Sequence, residues 1–378
     1  MNTQDSTKVS NNHRPPPTRP MTDQFQHFAG TKPVSSQHEF DVGALGAWLT
    51  EHLGGEFKQI AVEQFKGGQS NPTFKLITPA KNFVMRTKPG PADKLLASAH
   101  AIEREYQVMR ALRHTSIPVP ETYALCADES VIGRAFFIMQ MVEGRVMWDP
   151  QLPAMQPAER SAIFDEMNRV IADLHAVDYD AIGLSSFGKP GNYFARQIGR
   201  WTKQYRASET EPIEAMDRLI EWLPTQIPAS DESSIVHGDY RLDNLIFHPS
   251  EPRILAILDW ELSTLGHPLA DFAYHAMTWH VPPASFRGLA GVDLSALGIP
   301  TLEAYIARYC ERTGRADGIA NFDYYLAYNM FRMAGILQGI MKRVVDGTAA
   351  SPQATLMGKA ARPLAELGWQ VAQKVIRG

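Results

Sequence analysis

The stretch from Ile235 to Leu265, IVHGDYRLDNLIFHPSEPRILAILDWELSTL, constrains the fold more than any other part of the chain. A short apolar pair, Ile235-Val236, leads into the polar loop HGDYRLDN, and an apolar run, Leu245 to Phe247, leads out of it. His248 to Arg253 holds two Pro and a Ser and reads as a turn. Ile254 to Leu258 reads as a buried strand. A hairpin of this length brings its ends together, so Asp259 returns to the neighbourhood of Asn244. A loop held between two anchored strands aims Asp239 and Asn244 at one point. Mg²⁺ keeps several waters, so one or two carboxylates and an amide oxygen suffice to hold it. A carboxylate there can also take a proton from a hydroxyl. Asp and Asn are ordinary turn formers as well, so the weight rests on their combination with the hairpin and with Asp259-Trp260-Glu261.

H-G-D-x-x-x-x-N followed by D-W-E resembles the catalytic and metal motifs of the aminoglycoside phosphotransferase family. That family is a branch of the protein-kinase-like fold that also includes choline kinases. Protein kinases carry H-R-D-x-x-x-x-N at the same spacing, with D-F-G in place of D-W-E. The resemblance implies an α+β, protein-kinase-like bilobal fold: a small lobe with an antiparallel sheet plus a helix, and a large, mainly helical lobe. It implies ATP as phosphoryl donor and Mg²⁺ as the metal. Asp239 would be the catalytic base and Arg241 a second catalytic residue. Asn244 and Asp259 would hold the metal, His237 would brace the loop, and Glu261 would support a second metal or orient Arg241.

Bulk properties bound the rest. A chain of 378 residues with 44% hydrophobic and 21% charged residues is ordinary globular material. A net charge of −4 argues against a nucleic-acid partner. Two cysteines, Cys126 and Cys310, form neither a disulfide framework nor a metal cluster and fit a reducing compartment. No apolar run reaches the length of a membrane span, and the N-terminus lacks the apolar core of a signal peptide. The expectation is a cytoplasmic protein with no membrane partner.

The chain divides into a tail (1–38), an N-terminal nucleotide-binding lobe (39–141) and a C-terminal catalytic and acceptor lobe (142–378). The tail is rich in Pro, Ser, Thr, Asn and Gln. It is expected to be disordered, with packing of part of it on the small lobe as the alternative. Asp41 caps a helix through Leu45, Leu49 and Leu53. Strands from Ile60 to Phe65 and from Thr73 to Ile77 flank Gly67-Gly68-Gln69-Ser70-Asn71. Strand, Gly-rich turn, strand lets backbone amides approach phosphates, although a hairpin turn needs glycine anyway. The GGQSN loop also resembles its counterpart in bacterial and mitochondrial relatives.

Asn82 to Thr87 is a third strand. The family places a phosphate-binding lysine here, and Arg86 stands in its place, with Lys88 as the alternative on the same face. Residues 94–113 read as a helix, on which Glu105 matches the family's partner for that cation and Glu103 is second. Further strands over 121–127 and 134–141 lead to MVEG, which resembles the hinge between lobes. Backbone groups of Gln140, Met141 and Val142 would meet the adenine edge. Beyond it, helices are expected at 157–176, 192–205, 213–223, 301–313, 321–345 and 352–376, with 279–300 as loop. Asp271 reads as a brace for the catalytic loop. Trp201 and Tyr205, one turn apart, read as core before pocket lining. No A-P-E segment is present, so no protein substrate is expected.

VMRTKPG, SAHAIEREY, MVEGRVMWDP and LDWELSTLGHPLADFAYH are similar to the kinase-like domain fused to animal acyl-CoA dehydrogenases. That resemblance implies a small-molecule O-phosphotransferase with a CoA-linked acceptor, a hydroxyacyl-CoA. The chain ends after the helical lobe, so no flavin-binding dehydrogenase domain is expected with it. Two alternatives stay open. An aminoglycoside or amino-alcohol kinase would need an acidic acceptor pocket. A catalytically silent nucleotide-binding regulator is motivated by Arg86.

Overall fold

The computed structural model describes residues 30–66, 71–89, 102–349 and 353–377. Strand β1 (Thr31–Lys32) is followed by helix α1 (Val42–Leu53), which starts where the Asp41 carboxylate accepts the Ala44 amide at 2.9 Å. Strands β2 (Ala61–Phe65), β3 (Thr73–Ile77) and β4 (Asn82–Thr87) precede α2 (Ile102–Leu112), and β5 (Thr122–Cys126) and β6 (Phe136–Gln140) follow it. The six strands form one antiparallel sheet in the order β1-β2-β3-β4-β6-β5.

Alternation along the central strands explains its two covered faces. Phe83, Met85, Phe136 and Ile138 pack with Leu45 and Leu49 of α1. Val84, Phe137 and Met139 pack with Ile102, Val108 and Met109 of α2. A sheet buried on both faces reads as near-continuous apolar runs. The α2 side belongs to the same core cluster as the helices that follow, so α2 welds the sheet to the rest of the molecule.

The stretch expected to be a disordered tail differs in its last part. Residues 1–29 lie outside the described residues. Thr31 and Lys32, however, pair with Phe65 and Gln64 as the edge strand. The Ser35 amide and hydroxyl both donate to Gln64 Oε1, at 3.1 and 3.0 Å, and Phe40 meets Phe74 edge-on. Composition counts apolar side chains, whereas this segment is held by backbone pairing and polar side chains as well as by Val34 and Phe40 against the core. The helix expected over 94–113 is seen as Ile102–Leu112, and its beginning lies outside the described residues.

The second half contains β7 (Arg145–Val146), α3 (Pro157–His175), α4 (Tyr193–Ser208), α5 (Glu214–Trp222), β8 (Ser234–Val236), β9 (Leu245–Phe247), β10 (Ile254–Ile257), β11 (Thr264–Gly266), α6 (Pro268–Ala276), α7 (Pro283–Phe286), α8 (Leu294–Leu297), α9 (Leu302–Arg312), α10 (Phe322–Val345), α11 (Ala354–Lys359) and α12 (Ala361–Arg377). The hairpin β9–β10 forms as expected and gains β7 as a third strand. A Cβ on Gly144 would lie 2.3 Å from the Phe247 carbonyl oxygen. Only glycine lets the chain leaving the small sheet lie that close to the hairpin. Strand β8 pairs with β11, so both ends of the catalytic stretch are tied. The stretch expected as loop over 279–300 contains the short helices α7 and α8, and the helix expected over 352–376 is interrupted at Ala360.

Removing residues 1–38 deletes the β1 pairing and the hydrogen bonds of Thr31 and Ser35 to β2. The expected cost is about 1–3 kcal/mol, seen by calorimetry as a melting temperature lowered by a few degrees. An unchanged melting temperature would show that the edge strand contributes nothing.

Candidate active site

The catalytic loop is built on Asp271. This buried carboxylate sits in the first turn of α6 and accepts the amides of His237 at 2.7 Å and Gly238 at 2.8 Å. His175 Nε2 lies 3.3 Å from it. Burial alone would raise its pKa, but His175 and His237 hold it below the ordinary carboxylate value. His237 is fully buried, its Nε2 donates to the Leu258 carbonyl at 2.9 Å and its Nδ1 accepts the Asp239 amide at 3.2 Å. That fixes the tautomer and clamps the loop to the strand before Asp259. Gly238 has φ +82°, and a Cβ there would come 2.8 Å from the Leu262 carbonyl. The expectation that Asp271 and His237 brace the loop describes these contacts.

Asn244 and Asp239 meet directly. Asn244 Nδ2 donates to the Asp239 carbonyl and to Asp239 Oδ2, each at 2.9 Å. The Leu258 amide donates to the Asn244 carbonyl at 2.8 Å, so the hairpin returns Asp259 next to Asn244. Asp259 has φ +65°, a left-handed conformation uncommon for a residue with a Cβ and one that clusters at functional sites. Asn244 Nδ2 is spent on Asp239, which leaves its Oδ1 as the ligand-capable atom.

Arg86 joins the two halves of the site. Its Nε contacts Glu105 at 2.9 Å, one terminal nitrogen contacts Asp259 Oδ1 at 2.5 Å, and Glu261 lies at 3.5 Å. Burial would lower the guanidinium's pKa, but Glu105, Asp259 and Glu261 raise it well above its ordinary value. Burial pushes the Glu105 carboxyl up to about 7 against the pull of Arg86, and Asp259 adds to the push. Lys88 pairs with Glu103, whereas Arg86 and Glu105 are joined to Asp259 and Glu261.

Other expected site residues fall differently. Gly67, Gly68, Gln69 and Ser70 lie outside the described residues. Asn71 is fully buried and donates to Glu105 at 2.9 Å and Glu261 at 3.2 Å, so its side chain ties the two carboxylates together. The Gln140 amide donates to the Glu121 carbonyl at 2.8 Å inside the sheet. That amide is therefore taken by strand pairing. Met141 and Val142 follow the last rung of β6.

Sequence reasoning named Arg241 beside Asp239 but missed Tyr274, Arg287 and Arg332 around it. The Tyr274 hydroxyl donates a short hydrogen bond to Asp239 Oδ1. Burial, then Asp239, raises the Tyr274 pKa well above its ordinary value. Tyr274 lies three residues after Asp271 on α6, hence on the same helix face; that spacing was the available signal. Arg241 Nε lies 3.0 Å from Asp239 Oδ1, and Asp243 joins Arg241 at 3.3 Å to Arg287 at 3.1 Å. Arg332 of α10 donates to the Gly238 carbonyl at 3.0 Å. Trp201 and Tyr205 are buried core, in line with their helical spacing.

A carboxylate bonded to a metal-capable amide, a returning second carboxylate and a buried cation–carboxylate pair beside an antiparallel sheet define a kinase-like phosphotransferase. Residues 61–318 match the phosphotransferase enzyme family, and the chain belongs to that family. A Ralstonia eutropha crystal structure, provisionally named an aminoglycoside phosphotransferase, is 63% identical, with TM-score 0.82 over 89% of this chain and 99% of its own. Acyl-CoA dehydrogenase family member 10 of Mus musculus is 45% identical over 91% of this chain and 32% of its own length. This chain thus spans less than half the length of the curated relatives it matches. The aminoglycoside phosphotransferase APH(4)-Ia, in a ternary complex with AMP-PNP and hygromycin B, shares the fold at 15% identity, with TM-score 0.56 over 87% of this chain and 99% of its own. No helix among the described residues is long and apolar enough to cross a membrane.

Two buried imidazoles around this framework set an acid limit. Burial holds His267 and His275 at about 4, below the ordinary 6.5. Between those values the unfolded chain binds more protons than the folded one. Stability therefore falls as pH drops from about 6.5 towards 4, by up to ~1.4 kcal/mol per pH unit for each histidine. Melting temperatures measured across this window should fall steadily with acid. A flat profile would refute the assignment.

Proposed function

We propose that the chain transfers the γ-phosphoryl group of ATP, with Mg²⁺, to a hydroxyl of an anionic small molecule, a CoA-linked hydroxyacyl compound. The carrying observation is the sign of the charges around the catalytic carboxylate. Its side-chain neighbours Arg241 and, through the loop carbonyl, Arg332 are cations, and Arg287 stands behind them across Asp243. An aminoglycoside or amino-alcohol is itself cationic and needs carboxylates on that side. An anionic acceptor is suited to arginines. The name of the mouse relative, which speaks of acyl-CoA, supports the same acceptor class.

Asp239 takes the proton from the acceptor hydroxyl as the new O–P bond forms and the bond from the γ-phosphorus to the bridging oxygen of ADP breaks. Tyr274 and Asn244 hold the two carboxylate oxygens of Asp239, and the Arg241 guanidinium lies 3.0 Å from Oδ1. The donor set fits Mg²⁺: the Asn244 amide oxygen and the Asp259 carboxylate would hold it. Such sites use few protein carboxylates because the phosphates supply the rest. When bound, the metal neutralises charge on the phosphates. Arg86, set by Glu105, contributes the fixed cation on the nucleotide side. Met141 and Val142 provide backbone groups for the adenine edge.

The test is mass spectrometry on protein, ATP and Mg²⁺ with a panel of hydroxyacyl-CoAs and aminoglycosides. One added phosphate is expected on the hydroxyacyl-CoA class. Asp239→Asn should lose at least ~10²-fold in rate while still binding nucleotide. Transfer to aminoglycosides alone would overturn the acceptor, and near-normal turnover by the variant would overturn the base. Nucleotide binding with no transfer to any acceptor would favour a silent regulator, in which Arg86 keeps Asp259 from the metal.

A further inference from the structure

Helix α10 carries a stripe that starts at the catalytic loop. Arg332, Gly339 and Arg343 are spaced by seven and four residues, which puts them on one face at 3.6 residues per turn. Arg332 bonds the Gly238 carbonyl. Arg343 then lies about 17 Å farther along the axis at 1.5 Å per residue. Helix α4 runs alongside: Gln338 Nε2 donates to the Ser208 carbonyl at 3.0 Å, and a Cβ on Gly335 would lie 3.9 Å from Tyr205 Cβ. Trp201, Tyr205 and Ser208 of α4 turn inward, which leaves Arg196, Arg200 and Lys203 along its outer edge.

Between the two helices lies an open groove of about 870 Å³. Arg196, Arg200, Lys203 and Arg343 line it, with Gly199 and Gly339 between them, and no carboxylate is among the described residues that line it. A Cβ on either glycine would meet nothing within 4 Å, so these glycines leave space and serve no packing contact. Nearby surface cations behave otherwise: Arg206 pairs with Glu209 and Asp217, Arg218 with Glu214, and Lys342 with Asp346. Arg196 is held by the carbonyls of Gly191 and Lys189, and Arg200 lies over the Trp201 ring at 5.5 Å. Four cations without a carboxylate, on a chain of net charge −4, make a local positive field. Arginine is suited to phosphate by its planar, bidentate donor set.

We infer that this groove binds the phosphate-bearing nucleotide end of the acceptor. A flexible arm runs along α10 and presents its hydroxyl to Asp239. This rests on the acceptor being CoA-linked, as proposed above, and it adds the place and the required reach. Acceptors too short to span from the loop to Arg343 lose the contribution of the groove.

Isothermal titration tests this, with the donor site saturated by AMP-PNP so that the probes cannot occupy it. The probes are coenzyme A and adenosine 3′,5′-bisphosphate, titrated into wild type and an Arg200→Glu/Lys203→Glu variant. Wild type should bind both, and the variant should bind each at least ~10-fold more weakly, with AMP-PNP affinity unchanged. Added salt should weaken wild-type binding. With a hydroxyacyl-CoA substrate, KM should rise while kcat holds. Arg343→Gln serves as a milder variant if charge reversal impairs folding, with the same direction of change. Equal affinity in wild type and variants would overturn the groove while leaving a CoA-linked acceptor standing. Failure of wild type to bind either probe would also overturn the groove, and the mass-spectrometric panel then decides separately whether any CoA-linked acceptor is used.

Discussion

The site depends on one guanidinium held among three carboxylates. Arg86 comes from the sheet and Glu105 from α2, whereas Asp259 and Glu261 come from the end of the β9–β10 hairpin. Burying a lone charge costs several kcal/mol, so Arg86 keeps its place only while those partners keep theirs. Asn71 ties Glu105 to Glu261 from the same side. The two halves of the molecule are therefore aligned by charge at the point where the donor phosphates would lie. Three carboxylates around one cation leave a surplus of negative charge. That surplus favours a further cation, which is the electrostatic setting a magnesium nucleotide needs.

The catalytic loop answers to a different constraint. Its amides at His237 and Gly238 point inward and need an acceptor once buried. Asp271 supplies both oxygens, and α6 carries Asp271 in its first turn, where a carboxylate is favoured by the helix dipole. The same helix brings Tyr274 to Asp239 one turn later. One helix thus holds the backbone of the loop and orients the Asp239 side chain.

Much of this was legible in the sequence because it is local. The hairpin, the return of Asp259 to Asn244 and the Asp41-capped helix follow from apolar runs, turn residues and a cap. The pairing of Arg86 with Glu105 was legible only through the family resemblance, since nineteen positions separate the two and no periodicity links them. What stayed hidden depends on non-local backbone geometry. Thr31 and Lys32 look like tail because edge pairing leaves no apolar signature. Arg145 and Val146 are too short a strand to show a period, and only Gly144 lets them reach β9. Gln140 reads as hinge by position, and the commitment of its amide to the Glu121 carbonyl is not legible in the chain. The groove between α4 and α10 is likewise invisible in the chain, because Arg196, Arg200 and Lys203 read as an ordinary solvated helix face until Arg343 is seen across from them.

The charges near Asp239 differ between the two sets of neighbours, with Asp243 the carboxylate held between Arg241 and Arg287. On the hairpin side, carboxylates exceed cations around Arg86. On the acceptor side, Arg241, Arg287, Arg332 and then the groove arginines are cations. A polyanionic donor carrying Mg²⁺ is suited to the first environment, since the metal offsets its charge. A polyanionic acceptor without its own metal is suited to the second. The same arrangement works against a cationic acceptor, which would meet Arg241 beside Asp239. Selectivity between acceptor classes can therefore arise from repulsion as much as from attraction, and it requires no contact with the reacting hydroxyl.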